Sequence, residues 1–218
     1  MSDKIYPDSG VELTKFTAKN YDKIMNAISF GIYKRFIHRA VKNMGISVGD
    51  NILDLGCGTG RNARLMLDYA GTKGRLTGID ISKEMEMQFI LKFDGKPNVT
   101  FINQRIDQPF TLEEKFDKVF ISFVIHGFPH EVRNTVIQNA FNNLKPGGAF
   151  YILDFAEFDM KKMPAHHRFI FKKIECKYAF DYIERDWKEI LTTAGFSDFE
   201  ESFYLKNYVR LLKAVKAE

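Results

Sequence analysis

Apolar residues along this chain recur in two periods that take turns. Ile32, Phe36, Ile37, Ala40, Val41 and Met44 repeat at helical spacing, with Lys34, Arg35 and Arg39 off that face. Residues 15–44 predict two helices broken near Ser29-Phe30-Gly31, behind a loose arm over residues 1–14 that holds Pro7 and Gly10. From Asn51 onward, strand and helix patterns alternate. Strands are predicted at 51–55, 75–80, 99–103, 116–123 and 149–155. Helices are predicted at 61–69, stopping at Gly71, at 83–93 with Ser82 as its cap, and at 131–144, halted by Pro146-Gly147-Gly148. A helix at 185–194 ends at Gly195. Two strand-like segments, 199–205 and 208–215, close the chain with only Lys206-Asn207 between them.

Strands that alternate with helices build a mostly parallel sheet covered on both faces. The expectation is therefore an α/β, doubly wound, Rossmann-like sheet of seven strands. The short final connection makes a hairpin, so the last strand runs antiparallel. Residues 1–44 form an arm and helical cap, and residues 45–218 form the main domain. Residues 156–184 fall outside the alternation and are rich in aromatic and basic side chains. They are the candidate lid over a substrate.

Composition narrows the class without naming a function. With 218 residues, 45% hydrophobic and 28% charged, the chain is one globular domain. Cys57 and Cys176 are too few and too far apart for a disulfide framework, and no zinc spacing is present. The start, Met1-Ser2-Asp3-Lys4, lacks the apolar core of a signal peptide, and Val119–Ile125 is too short to span a membrane. A cytoplasmic protein is expected. A net charge of +4 does not point to nucleic acid. Its distribution is uneven, because residues 15–42 carry Lys15, Lys19, Lys23, Lys34, Arg35, Arg39 and Lys42 against Asp22 alone. The unusual count is 21 phenylalanines. Phe101, Phe116, Phe120, Phe123 and Phe150 fall on predicted strands. Phe16, Phe30, Phe36, Phe155, Phe158, Phe169, Phe171 and Phe180 fall in or beside the two basic segments and suggest an apolar pocket under a positive lid.

The sharpest chemical signal is Ile52-Leu53-Asp54-Leu55-Gly56-Cys57-Gly58-Thr59-Gly60-Arg61-Asn62. A strand runs into a turn with Gly56, Gly58 and Gly60 at alternate positions, and a helix follows. Absent side chains let a ligand approach the backbone, and the helix start offers free N–H groups to an anion. The spacing G-x-G-x-G differs from the G-x-G-x-x-G of dinucleotide folds. The next strand ends in Gly78-Ile79-Asp80, and an acidic residue there can bind both hydroxyls of a ribose.

This stretch resembles the first motif of class I S-adenosylmethionine-dependent methyltransferases. Phe116-Asp117-Lys118-Val119 with Ile121-Ser122-Phe123 resembles their fourth-strand motif. Asn143-Leu144-Lys145-Pro146-Gly147-Gly148 before Phe150-Tyr151-Ile152-Leu153 resembles their fifth. Asp186-Trp187 with Leu191, Ala194, Gly195 and Phe196 resembles the helix before the last hairpin. Tyr21-Asp22-Lys23-Ile24-Met25-Asn26 with Ser29-Phe30-Gly31 is similar to the N-terminal motif of ubiquinone/menaquinone biosynthesis methyltransferases. Ile125-His126-Gly127-Phe128 departs from those enzymes, in which an arginine-asparagine pair is usual.

The resemblance implies S-adenosyl-L-methionine as cofactor. Gly56, Cys57, Gly58 and Gly60 would lie against its methionine part, and Asp54 would help hold its ammonium group. Asp80 would bind the ribose, Ile81 and Met85 would pack on the adenine, and Ile106 would close its other face. Asp107 would accept from the adenine amino group, and Ser122 sits at the crevice end of the fourth strand. Tyr21 would cover the cofactor. Methyl transfer needs the acceptor held in line and close, with a base only where the acceptor carries a proton. His126 follows the fourth strand directly and is the candidate base, with Tyr21 the second catalytic candidate. Gly127 and Pro129 stand between His126 and His130, which argues against a helical metal pair, so no metal is expected.

The acceptor is left open between a prenylated quinol ring carbon, a phospholipid amine and a small aromatic or amine metabolite. Basic residues interleaved with aromatics can also contact an anionic membrane peripherally. Monomer and homodimer are both open. The alternative functions are a dinucleotide-dependent oxidoreductase and a non-catalytic protein that binds S-adenosylmethionine.

Overall fold

A computed structural model describes residues 32–217. The arm, the first predicted helix and Tyr21 lie outside the described residues. The elements are α1 (Ile32–Asn43), β1 (Asn51–Leu55), α2 (Arg61–Ala70), β2 (Arg75–Asp80), α3 (Lys83–Lys92), β3 (Val99–Asn103) and β4 (Phe116–Ser122). A 3-10 turn at Ile125–Gly127 follows, then α4 (His130–Asn143) and β5 (Leu144–Phe155). The chain continues through α5 (Ala165–Ile174), α6 (Lys177–Ile183), α7 (Trp187–Thr193), β6 (Phe196–Tyr204) and β7 (Val209–Lys216).

The seven strands form one sheet in the order β3-β2-β1-β4-β5-β7-β6. β7 is antiparallel to both β5 and β6, and the other pairings are parallel. The expected doubly wound sheet with an antiparallel last strand is what forms. The cause is the period-2 pattern within each buried strand. Leu53, Val119, Ile121, Phe150 and Ile152 join the core on the face of α4, α6 and α7. Their neighbours Ile52, Phe120, Tyr151 and Leu153 join the core on the face of α1 and α2. α1 docks as its pattern predicts, with Phe36, Ile37, Ala40, Val41 and Met44 all buried. The Tyr151 hydroxyl donates to the Met44 carbonyl at 2.7 Å and ties this helix to the sheet.

Several boundaries differ from expectation, among them β6, which begins at Phe196 rather than 199. β5 begins at Leu144, ahead of the Pro146-Gly147-Gly148 stop, because a register shift between Phe116 and Lys118 absorbs the proline and a left-handed Gly147. α7 begins at Trp187 rather than 185, because the Asp186 carboxylate accepts the Glu189 N–H at 3.0 Å and caps the helix there. The final hairpin turns through Leu205–Tyr208, not through Lys206-Asn207 alone, and Leu205, Lys206 and Asn207 are all left-handed. Strand order reverses between β1 and β4, and the crevice at such a switch point is where open α/β sheets bind ligands.

Candidate active site

The glycine loop leaves β1 at this crevice and is locked from beneath. The Gly56 and Cys57 N–H groups donate to the Ile79 carbonyl at 2.8 and 3.0 Å. Gly60 is left-handed, and a Cβ there would stand 2.6 Å from Phe93 Cε2 and 2.7 Å from Phe89 Cδ2. Gly58 is also left-handed, and nothing lies closer to its Cβ position than Met85 Sδ at 3.9 Å. Packing therefore explains Gly60, whereas Gly58 keeps an open backbone beside Met85.

Asp80 closes β2 and braces the loop. Its carboxylate accepts the Gly58 N–H and the Ser82 N–H, each at 2.9 Å. Burial raises its pKa, opposed by these hydrogen bonds and one from the Ile81 N–H. Ser82 caps α3 as expected, its hydroxyl accepting the Met85 N–H. Asp54 is buried near the end of β1, and its Oδ2 has no hydrogen-bond partner among the described residues. Burial, with Asp80 adding, pushes its carboxyl up to about 8. An unsatisfied buried carboxylate oxygen is an acceptor that an ammonium group would satisfy. That atom and the open Gly58 backbone fit S-adenosylmethionine.

The remaining cofactor candidates divide by surroundings. Met85 and Ile106 are buried, Cys57 packs in the core, and Ile81 is 45% exposed. Asp107 is bridged by the Arg105 guanidinium through both oxygens, so any adenine contact is made by a carboxylate already paired. Ser122 accepts a hydrogen bond from Asn62 Nδ2 at 2.8 Å. The loop carrying Ile106 and Asp107 is held by Asn139, whose side-chain amide donates to the Ile106 and Gln108 carbonyls at 2.8 Å.

His126 sits in the 3-10 turn just past β4. Its Nδ1 is 2.8 Å from Asp154 Oδ1 near the end of β5, and its Nε2 is 3.7 Å from Glu175 Oε2 between α5 and α6. Burial alone would lower the His126 pKa, but the Asp154 and Glu175 carboxylates raise it above 6.5. Burial likewise raises Glu175, with His126 opposing. The fully buried Arg133 of α4 fixes the surrounding backbone. It donates to the carbonyls of Ile125, His126 and Tyr178, and to Asp181 at 2.6 Å. Asp154, Glu175, Arg133 and Asn139 were not singled out from sequence. Only Asp154 carried a signal there, as a charged residue at the end of an apolar strand.

The phenylalanine excess has a place. Phe155 lies 5.0 Å, centre to centre, from the His126 ring and 5.1 Å from Phe171, which meets Phe158 at 5.6 Å and Phe180 at 5.5 Å. Phe123 follows β4 instead of lying on it, adopts a left-handed backbone, and contacts Phe155 and Phe36. It belongs to this cluster and not to the plain strand core. Phe169 goes the other way and is 66% exposed.

A sheet of this order, with a glycine loop at its switch point and an acidic residue closing β2, is that of a class I S-adenosylmethionine-dependent methyltransferase. The profile of the ubiE/COQ5 methyltransferase family matches residues 11–179, and the chain belongs to that family. A demethylmenaquinone methyltransferase of Bacillus licheniformis is 29% identical over 174 residues, covering 78% of this chain and 74% of that protein. A SAM-dependent methyltransferase from Aquifex aeolicus shares the fold with a TM-score of 0.65 at 18% identity, covering 94% of this chain and 99% of the other. Human N-acetylserotonin methyltransferase in complex with SAM has a TM-score of 0.69 at 17% identity, covering 94% of this chain and 57% of the other. The chain is thus a methyltransferase enzyme with S-adenosyl-L-methionine as cofactor. Family membership gives no support to the dinucleotide-dependent alternative. Among the described residues no helix is long and apolar enough to cross a membrane.

Proposed function

We propose that this enzyme methylates a ring carbon of an apolar, quinol-like acceptor. The observation that carries the reading is the ring cluster of Phe123, Phe155, Phe158, Phe171 and Phe180, which meets His126 through Phe155 at the end of β5. Apolar rings favour a flat aromatic acceptor with a hydrocarbon tail. The relatives named demethylmenaquinone methyltransferases support the same class.

S-adenosyl-L-methionine supplies an activated methyl group when bound. Asp54 would hold its ammonium group and Asp80 its ribose, while Gly58, Met85, Ile81 and Ile106 would line its bed and Asp107 would meet the adenine. The chain's own chemical task is to orient the acceptor and take its hydroxyl proton, which makes the ring carbon nucleophilic; once methylated, that carbon gives up its ring proton to water while the oxygen recovers the proton from His126, which restores the aromatic quinol. His126 is the base for that proton. Asp154 receives the Nδ1–H and fixes the tautomer, which leaves Nε2 to accept the proton. Arg133 is a positioning residue, holding the turn that carries His126. Tyr21 and the helical cap retain their proposed role over the cofactor, and residues 156–184 their role as lid.

The test is turnover of a reduced naphthoquinone lacking the ring methyl, by the unmutated chain and by His126→Ala. The expected result is ring-methylated product, at least about 100-fold slower in the variant with cofactor affinity unchanged. An aminophospholipid methylated in preference to the quinol would overturn the acceptor assignment.

A further inference from the structure

Helix α5 has two unlike faces. Phe171 points inward and packs on Phe155, Phe158 and Phe180. The opposite stripe, His166, Phe169, Ile170 and Lys173, recurs at i, i+3, i+4 and i+7 and is exposed throughout. Phe169 is 66% and Ile170 51% exposed, with the Lys173 ammonium 5.8 Å from the Phe169 ring centre. The β6–β7 turn lies alongside. His167 Nδ1 is 3.4 Å from the Tyr208 hydroxyl, and the left-handed turn presents Leu205, 46% exposed, next to Lys206.

Basic side chains are frequent on and beside this helix. Lys161, Lys162, Lys172, Lys173 and Lys206 make no ion pair with any described residue. Three acidic residues of the same segment have partners of their own. Glu175 turns in to His126, Glu157 binds Arg210, and Asp159 accepts the Lys161 N–H at 2.8 Å. Exposed apolar side chains beside lysines that form no ion pair with a described residue match a bilayer interface with anionic headgroups. A standard protein partner needs roughly 800 Å² of complementary surface on each side, far more than these three side chains offer.

We propose that the outer face of α5, with Phe169, Ile170, Lys172 and Lys173, and the neighbouring Leu205-Lys206 turn seat the enzyme on an anionic lipid surface. The inference rests on the reading of a lipid-borne acceptor. One helix then has its outer side on the bilayer and its inner side on the aromatic cluster, so a long-tailed acceptor can pass from lipid to crevice beside it.

The experiment sediments the full chain with phosphatidylcholine vesicles, with and without phosphatidylglycerol, at low and high salt. Binding is expected only to the anionic vesicles and should weaken with salt. The pair Lys172→Gln/Lys173→Gln should lower partitioning about 25-fold, at about fivefold per lysine. The pair Phe169→Asp/Ile170→Asp should abolish it. Both variants should bind S-adenosyl-L-methionine like the parent, and their loss of turnover should be far larger on a long-tailed quinol held in vesicles than on a water-soluble, short-tailed quinol. Equal binding to neutral vesicles, no binding at all, or variants that bind like the parent would overturn the proposal. So would a change of oligomeric state by light scattering in the Phe169/Ile170 variant, which would make a second copy the occupant. Intact vesicle binding with no quinol turnover would overturn the acceptor assignment alone and uphold the docking face.

Discussion

Asp154→Asn separates the parts played by the His126 pair. The Asp154 side chain is fully buried and accepts from His126 Nδ1 at 2.8 Å, from the Phe155 N–H at 2.8 Å and from the His126 N–H at 3.3 Å. Asparagine keeps the shape but offers one acceptor oxygen and brings an N–H donor toward another donor. The loss is one charge-assisted hydrogen bond plus an unmet buried polar group, together about 2–4 kcal/mol. For a domain of this size that lowers Tm by roughly 5–15 °C. The pH dependence follows from the direction of the His126 shift. Its pKa is raised in the folded protein, so the pair's contribution is fully present below 6.5 and is lost as pH rises through the folded value. The Tm deficit of the variant is therefore largest at mildly acidic pH and shrinks at alkaline pH. With Asp154 neutral, burial and Arg133 lower the His126 pKa while only Glu175 raises it, and the nearby Tyr182 is neutral at these pH values. The rising limb of the rate against pH should move to lower pH, with a lower plateau because the weaker base does less. Differential scanning fluorimetry across pH and a kcat profile check both parts. A Tm within about 2 °C of the parent at every pH, with an unmoved limb, would refute the pairing and its catalytic role together.

Asp80→Ala removes the acceptor for the Gly58 and Ser82 N–H groups, and cofactor Kd by calorimetry should rise at least about tenfold. Affinity within about twofold of the parent would show that β2 does not carry the ribose site. Because the Asp54 carboxyl is raised from 3.8 to about 8, the ligand-free protein should lose stability as pH climbs between those values. Cofactor affinity should rise about tenfold from pH 6 to 7 with release of a proton, visible as buffer-dependent heat; Asp54→Asn should flatten both trends. Gly60→Ala sets a Cβ 2.6 Å from Phe93 at a φ of +73°, and should cost about 2–4 kcal/mol. A negligible Tm change there would mean that the Phe89 and Phe93 rings yield freely.

The amino-acid sequence alone determined the sheet and the glycine loop at its switch point, for a local reason. Period-2 strands between period-3.6 helices admit little but a doubly wound sheet, and Gly56, Gly58, Gly60 and Asp80 announce themselves by spacing along one βαβ unit. Helix limits were less legible, since Asp186 decides the start of α7 through one hydrogen bond and Pro146 is absorbed by a bulge that no local pattern marks. Tertiary structure decided the chemistry around His126. Asp154 and Glu175 reach that ring from β5 and from the α5–α6 junction, and Arg133 locks its backbone from α4. It also decided which phenylalanines are cluster and which are surface. Phe169 and Phe171 are two residues apart and equally hydrophobic, yet roughly half a turn of helix sends Phe171 to the crevice rings and Phe169 to the outside. Spacing along the chain reports only contacts within an element. Charge pairing and ring packing between distant elements exist only once the sheet has brought them together.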